Sequence, residues 1–299
     1  MPSSLAPLLR DLEIDRPEIV TIEDLDRRRR QLGISLQPGE IARRLRRLGW
    51  LLPLRVRGAW EFAPADRGAA IAVGDPFIEV RALAAVRSET FVGIGFESAA
   101  FLRGFAAKPP AREVIVLDEG AAVIRALSMF RLVRLTLPRE AFDPLRGLPV
   151  QTADGLISSI SIRPDGFHNW AGLSVWLPTI ATQVDTATQS RLLAGRNASA
   201  WSRAAYLLGR GGNDVVADRL LARRPPGRGP FYLGPRTNRG RYDAATQVVD
   251  TVGLIRHPAI VDEGPVPTAE TAESDERTVA PGEGTRPGKP TTDESGVPG

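Results

Sequence analysis

The sequence predicts a mixed α+β fold, and three observations carry that expectation. Apolar residues in the first fifty positions recur at helical spacing and then give way to a short two-residue alternation. The middle of the chain reads strand, turn, helix, strand, and is followed by further amphipathic helices. The final stretch is rich in Pro, Thr, Gly and Glu and holds almost no apolar residues.

An amphipathic segment from Leu5 to Leu12 opens the chain. In "VTIEDLDRRRRQLGI" a helix is expected with Thr21 as its N-cap and Asp24 at the third helical position, a shortened capping box, and with Ile22, Leu25 and Leu32 on the buried stripe. "GISLQ" has the length and composition of a turn between two angled helices. In "GEIARRLRRLGW" the residues Ile41, Leu45 and Leu48 share a stripe, Pro38 suits the first turn and Gly49 the stop. At about 100° per residue, Arg43, Arg46 and Arg47 point away from that stripe and Arg44 lies near its edge. After it, Leu52, Leu54 and Val56 alternate with Pro53, Arg55 and Arg57; Arg57-Gly58 supplies a tight turn, and Trp60 and Phe62 continue the return strand.

Helix, helix, turn, helix and two-stranded wing is the order of a winged helix-turn-helix, whose second paired helix enters the DNA major groove. Charge agrees with that order: from Arg27 to Arg57 ten arginines accompany one acid, Glu40, a net +9. Arg43, Arg46 and Arg47 are expected to meet bases or phosphates with Arg44 flanking, while Arg55 and Arg57 on the wing and Arg27 and Arg30 on the preceding helix hold the backbone. The competing reading is a solvated face, since 37 of the 39 basic residues are arginine, a composition typical of a GC-rich genome.

"APADRGAAIAVGDP" marks a boundary, so residues 1–65 form one expected domain and residues 76–256 a second, of α/β type. The second opens on an amphipathic stretch from Pro76 to Val86, and "FRLVRLTLP" is a strand candidate. The section from Arg139 to Asp185 is harder to assign, although Leu156, Ile157 and Ile160 have helical spacing. "SAWSRAAYLLGRGG" and "DVVADRLLARRPP" read as helices, the first burying Trp201, Ala205 and Leu208, and "GPFYLGP" begins a closing strand or hairpin. Arg203 and Arg219 are expected to be exposed on these two helices. Residues 262–299 carry nine acids and three bases, net −6 within a chain of net +4, and are expected to be a disordered acidic tail.

Several kinds of chemistry are disfavoured. With no cysteine there is neither a disulfide scaffold nor thiolate chemistry, and no apolar run approaches the length of a membrane span, so the expected location is cytoplasmic. Histidine occurs only at His168 and His257, which argues against a multi-histidine metal site; His168 is expected at the surface or in a cap. No Ser, His, Asp set assembles, and neither a catalytic residue nor a cofactor is expected. One segment imitates a dinucleotide fingerprint: Gly93-Ile94-Gly95-Phe96-Glu97-Ser98 opens a helix and the next strand ends at Asp118, but Ser98 stands where the third glycine belongs.

"VTIEDL", "RRLRRLGWLLPL", "GAWEFAPA", "SAAFLRGF", "SAWSRAAYLLGRGG" and "FYLGP", in that order, resemble the AbiEi-type antitoxins of bacterial toxin-antitoxin pairs, in their longer actinobacterial form. The resemblance spans about Glu18 to Leu254 and is thinnest from Arg139 to Asp185. It implies an antitoxin that binds double-stranded DNA at its own promoter, represses its operon and counteracts a cognate toxin of nucleotidyltransferase fold; an enzyme is the reading the residues favour least. The alternative is a ligand-sensing repressor in which the Gly93 to Asp118 segment binds a nucleotide and controls the winged helix.

Overall fold

A computed structural model describes residues 5–65, 74–87, 89–122, 124–237 and 239–257. The expected acidic tail and most of the expected boundary between residues 63 and 75 lie outside the described residues. No described helix is long and apolar enough to cross a membrane.

The first part runs α1 (Ala6–Asp15), β1 (Ile19–Thr21), α2 (Ile22–Gln31), α3 (Pro38–Arg47), β2 (Leu51–Pro53) and β3 (Ala59–Phe62). Its sheet has the order β1-β3-β2, with β3 antiparallel to both neighbours. Leu8, Leu12, Leu25, Ile41, Leu45, Leu51 and Phe62 fill the core that the helices share with this sheet. The capping box forms as expected: Thr21 Oγ1 accepts the Asp24 N–H at 3.1 Å, and Asp24 returns a carboxylate oxygen to the Thr21 N–H at 3.2 Å.

Three details differ from the sequence reading. Leu32 and Leu48 are 39% and 47% exposed, because each is the C-cap residue of its helix and the following glycine, Gly33 or Gly49, turns the chain at positive φ. Strand β2 ends at Pro53, which lacks an N–H to continue the ladder. Leu51, paired with Phe62, rather than Leu52, is the buried residue of β2, and beyond the end of the strand Val56 turns into the core of the second part.

That second part begins with α4 (Ile78–Val86) and holds a five-stranded sheet built from β4 (Val92–Ile94), β5 (Val114–Leu117), β6 (Arg131–Arg134), β7 (Phe142–Leu145) and β8 (Leu148–Gln151) in the order β6-β5-β4-β8-β7. The β5–β6 and β4–β8 pairs are parallel; β4–β5 and β7–β8 are antiparallel. Helix α5 (Phe96–Leu102) follows β4, and α6 (Ala153–Ile162), buried along nearly its whole length, lies at the centre of a helical layer completed by α7 (Trp170–Thr182), α8 (Thr186–Leu192), α9 (Ala198–Arg210) and α10 (Asp214–Arg223). A small sheet of β9 (Phe231–Leu233), β10 (Arg241–Asp243) and β11 (Val248–Asp250) closes the domain. Each of the five helices from α6 to α10 starts on a side-chain cap: Thr152, Asn169, Asp185, Asn197 and Asn213 accept the N–H of Gly155, Gly172, Thr188, Ala200 and Val216. The section from Arg139 to Asp185 therefore holds a β-hairpin and two capped helices, its signal weakened because α6 is buried on nearly all sides and its buried Ser158, Ser159 and Ser161 interrupt the apolar pattern.

The two parts touch through the wing. Val56 and Ala59 join the large core, and Glu79 on α4, only 6% exposed, accepts the Arg55 N–H at 2.8 Å and the Val56 N–H at 3.2 Å. Arg81 bonds Asp75 at 2.7 Å and approaches Glu18, ahead of β1, at 3.2 Å.

Two stability predictions follow. Glu79→Ala strands two backbone donors and should cost roughly 2–4 kcal/mol in urea unfolding, with Glu79→Gln in between. The Asp154 carboxyl, buried at the start of α6 and bonded to the Asp185 N–H at 3.2 Å, is pushed by desolvation from an ordinary 3.8 up to about 6. The folded state then binds this proton more tightly than the unfolded chain, so stability declines as pH rises from about 4 through 6. Asp154→Asn should lack that decline; it should gain thermal stability over the parent at neutral pH and lose the advantage in acid.

Candidate nucleic-acid interface

Helix α3 presents the basic face that its spacing predicts. Ile41, Ala42 and Leu45 are buried while Arg43, Arg46 and Arg47 are exposed and Arg44 is half-buried. Glu40 pairs with Arg43 at 2.5 Å and with Arg44 at 2.9 Å, and the hydrogen bond from Arg44 leads the effects that hold its carboxyl below the usual range. Among the described residues the Arg46 side chain forms no ion pair or hydrogen bond, and Arg47 acts on Glu40 only at longer range.

On α2, Arg27 pairs with Asp24 and Arg30 with Asp26, their side chains 60% and 71% exposed. Both arginines border a surface hollow with Pro38, so α2 brings them beside the start of α3. Exposed pairs one helical turn apart contribute only about 0.3–0.5 kcal/mol, so these cations remain able to exchange a carboxylate for a phosphate. Arg28 is different: it is largely covered and clamps α2 to α1 through Asp11 and Asp15, the latter at 2.8 Å.

The wing arginines diverge. Arg57 is exposed beside the Gly58 turn, whereas Arg55 donates from Nη1 to Ser128 Oγ at 3.3 Å and so leans on the second part. The structure thus gathers Arg43, Arg44, Arg46 and Arg47 on α3, sets Arg27 and Arg30 nearby, and turns Arg55 away.

The fingerprint-like segment is a packing corner. A Cβ on Gly93 would lie 2.5 Å from the Phe142 ring, and one on Gly95 would lie 2.4 Å from Val116 and 2.9 Å from Gln151. The N–H of Phe96, which opens α5, is taken by Gln151 Oε1 at 2.9 Å, and Gln151 in turn donates to Ser159 on α6. Ser98 is buried and bonded to Glu113 and to the Val114 N–H. Since β4 and β5 are antiparallel, the segment also lacks the parallel βαβ crossover on which a dinucleotide site is built.

Residues 91–210 match a family model described as the AbiEi antitoxin C-terminal domain. The chain carries an AbiEi-type antitoxin domain. A crystal structure of the RV2827C protein from Mycobacterium tuberculosis, 28% identical, aligns at a TM-score of 0.71 over 84% of this chain and 92% of that one. No curated protein matches. The matched AbiEi segment runs from β4 to the end of α9 and includes the Gly93–Gly95 corner, so those glycines belong to the framework of the antitoxin domain.

Within this domain Arg203 is not the exposed residue that helical spacing implies: its Nε donates to Tyr232 O at 2.7 Å and its Nη1 to Ser161 O at 3.1 Å, because β9 packs across α9. Arg219 is exposed. His168 is exposed, as expected, and its N–H caps Glu97 at 2.6 Å; the His257 ring instead lies 2.7 Å from Ser174 O. Sequence reasoning missed Glu79 and Gln151, although an acid inside the apolar run "PFIEVRALAAV" was a visible signal for the first.

If the Gly95 corner is packing, Gly95→Ala overfills it and should cost about 1–3 kcal/mol, read as a lower melting temperature. A variant as stable as the parent would show that the corner has room to spare.

Proposed function

We propose that the chain is a DNA-binding antitoxin that represses its own operon through residues 1–65 and counteracts a cognate toxin of nucleotidyltransferase fold through residues 76–256. The observation that carries the reading is the exposed arginine face of α3, set in a helix-helix-helix and β1-β3-β2 order and followed in one chain by an AbiEi antitoxin C-terminal domain. That order is compatible with a winged helix-turn-helix, in which α3 enters the major groove, α2 crosses the backbone and Arg57 on the wing reaches a flanking phosphate. Arg43, Arg46 and Arg47 are then the base or phosphate contacts, Arg44 supports them, and Arg27 and Arg30 hold the backbone; Arg55 contributes less than its sequence position suggests, being bonded to Ser128. The rival reading, a nucleotide-sensing repressor using Gly93 to Asp118, finds the first N–H of α5 already taken by Gln151 rather than free to hold a pyrophosphate. A downstream frame encoding a nucleotidyltransferase-like protein would support the antitoxin reading, and a metabolic gene in its place would count against it.

If roughly six phosphates are neutralised, log affinity for the promoter should fall with log salt at a slope near −5. Arg43→Ala or Arg47→Ala should weaken promoter binding, at least one of them by about 1–3 kcal/mol of base discrimination. Equal binding of both variants and the parent to promoter and random DNA would refute the assignment. Repression and neutralisation should also separate: the full chain carrying Arg46→Ala and Arg47→Ala should leave the promoter derepressed while still rescuing cells from the toxin. Loss of rescue by a folded double variant would mean that neutralisation depends on DNA binding.

A further inference from the structure

A cavity of about 770 Å³ opens where the start of α7, the strand β9 and the segment after β11 meet. Half-buried Trp170 and Tyr232 line it together with Arg203 and Arg236. Trp170 is held edge-on against fully buried Phe167, at 5.0 Å between ring centres, and Phe167 is braced in the same manner by Trp176 at 5.9 Å. The aromatic wall is therefore preorganised.

Its cations are only partly matched by anions. Arg203 spends Nε and Nη1 on backbone carbonyls, which leaves its other terminal nitrogen uncommitted among the described residues. Arg236 lies over the Tyr232 ring, 5.7 Å from its centre, with no carboxylate partner among the described residues. Asp165, the one acid among the described residues lining the cavity, has both oxygens bonded to Arg163, at 3.1 and 2.9 Å. Burial first, and the neighbouring charge of Arg236 next, pull the Arg203 guanidinium below its usual pKa, and the opposing charge of Asp165 offsets them only in part. Two guanidinium groups facing one partly dry space repel each other unless an anion joins them.

We propose that this cavity binds a nucleoside phosphate, its base against Trp170 and its phosphate held by Arg203 and Arg236. The volume fits a ligand of that size, the planar guanidinium forks suit phosphate oxygens, and a fixed aromatic ring accepts any base face. The site shares no residue with α3 and does not rest on the DNA-binding reading. A free nucleotide and the 5′-phosphorylated end of a strand offer the same chemistry.

The test uses the full chain with Arg43, Arg46 and Arg47 replaced by Ala, which removes the α3 face, and follows tryptophan fluorescence and thermal shift. The probes are ATP, GTP, AMP, inorganic pyrophosphate and a short 5′-phosphorylated oligonucleotide. ATP or GTP should bind saturably and raise the melting temperature. Adding Arg236→Ala, a change at an exposed side chain, should weaken binding about tenfold or more. Trp170→Leu, with its fold checked by circular dichroism, should weaken nucleotides but leave pyrophosphate unchanged. Binding of the oligonucleotide alone, lost in the same two variants, supports the site with a strand end as its ligand. The proposal fails if no probe saturates, if neither variant changes binding, or if pyrophosphate binds as tightly as ATP, since the aromatic wall would then have no role.

Discussion

The buried carboxylate of Glu79 joins the basic part of the chain to the antitoxin domain. It accepts two consecutive backbone N–H groups from the wing turn, at Arg55 and Val56, where β2 has stopped at Pro53 and no strand partner is left for them. Buried backbone donors must find an acceptor, and α4 supplies one from the other side of the boundary. With that turn held, Val56 and Ala59 bury in the large core, and Arg55 is carried toward Ser128. Hydrogen bonding at one residue thus decides both how the wing sits and which of its arginines leans on the second part.

A second constraint organises the antitoxin domain from within. Gln151 ends β8, receives the first N–H of α5 and donates to Ser159 on α6, so one amide ties a strand to two helices. The corner it occupies admits no side chain at Gly93 or Gly95, which explains a glycine spacing that resembles phosphate recognition. Helix α6 and the four helices that follow it start on Thr, Asn or Asp caps, so their N-terminal ends are satisfied locally and the layer is free to pack by its apolar faces.

Arginine plays three different roles here, and burial separates them. Arg28 is covered and clamps α2 to α1; Arg203 is built into the seam between α9 and β9; Arg43, Arg46 and Arg47 stand in solvent. A chain that uses arginine for nearly every positive charge cannot reveal these roles by composition. The long side chain reaches a backbone carbonyl, a carboxylate or solvent according to what folds beside it.

Local features were legible from residues alone. The helix α3, its basic face, the Thr21 capping box, the buried stripe of α9 and the three helices of the first part follow from apolar spacing and short-range hydrogen bonding, which act within one or two turns of the chain, whereas the strand β1 between α1 and α2 does not. What only the tertiary structure decided depends on partners distant in sequence. Leu48 looks like core by its spacing but caps a helix where the chain turns away; Arg203 looks exposed until β9 is laid across it; Gly95 looks like a ligand contact until Val116 and Gln151 close over it. The pairing of β4 antiparallel to β5, which removes the dinucleotide site, and the convergence of Arg203 and Arg236 beside Trp170 are likewise set by long-range packing, and no periodicity within a single segment encodes them.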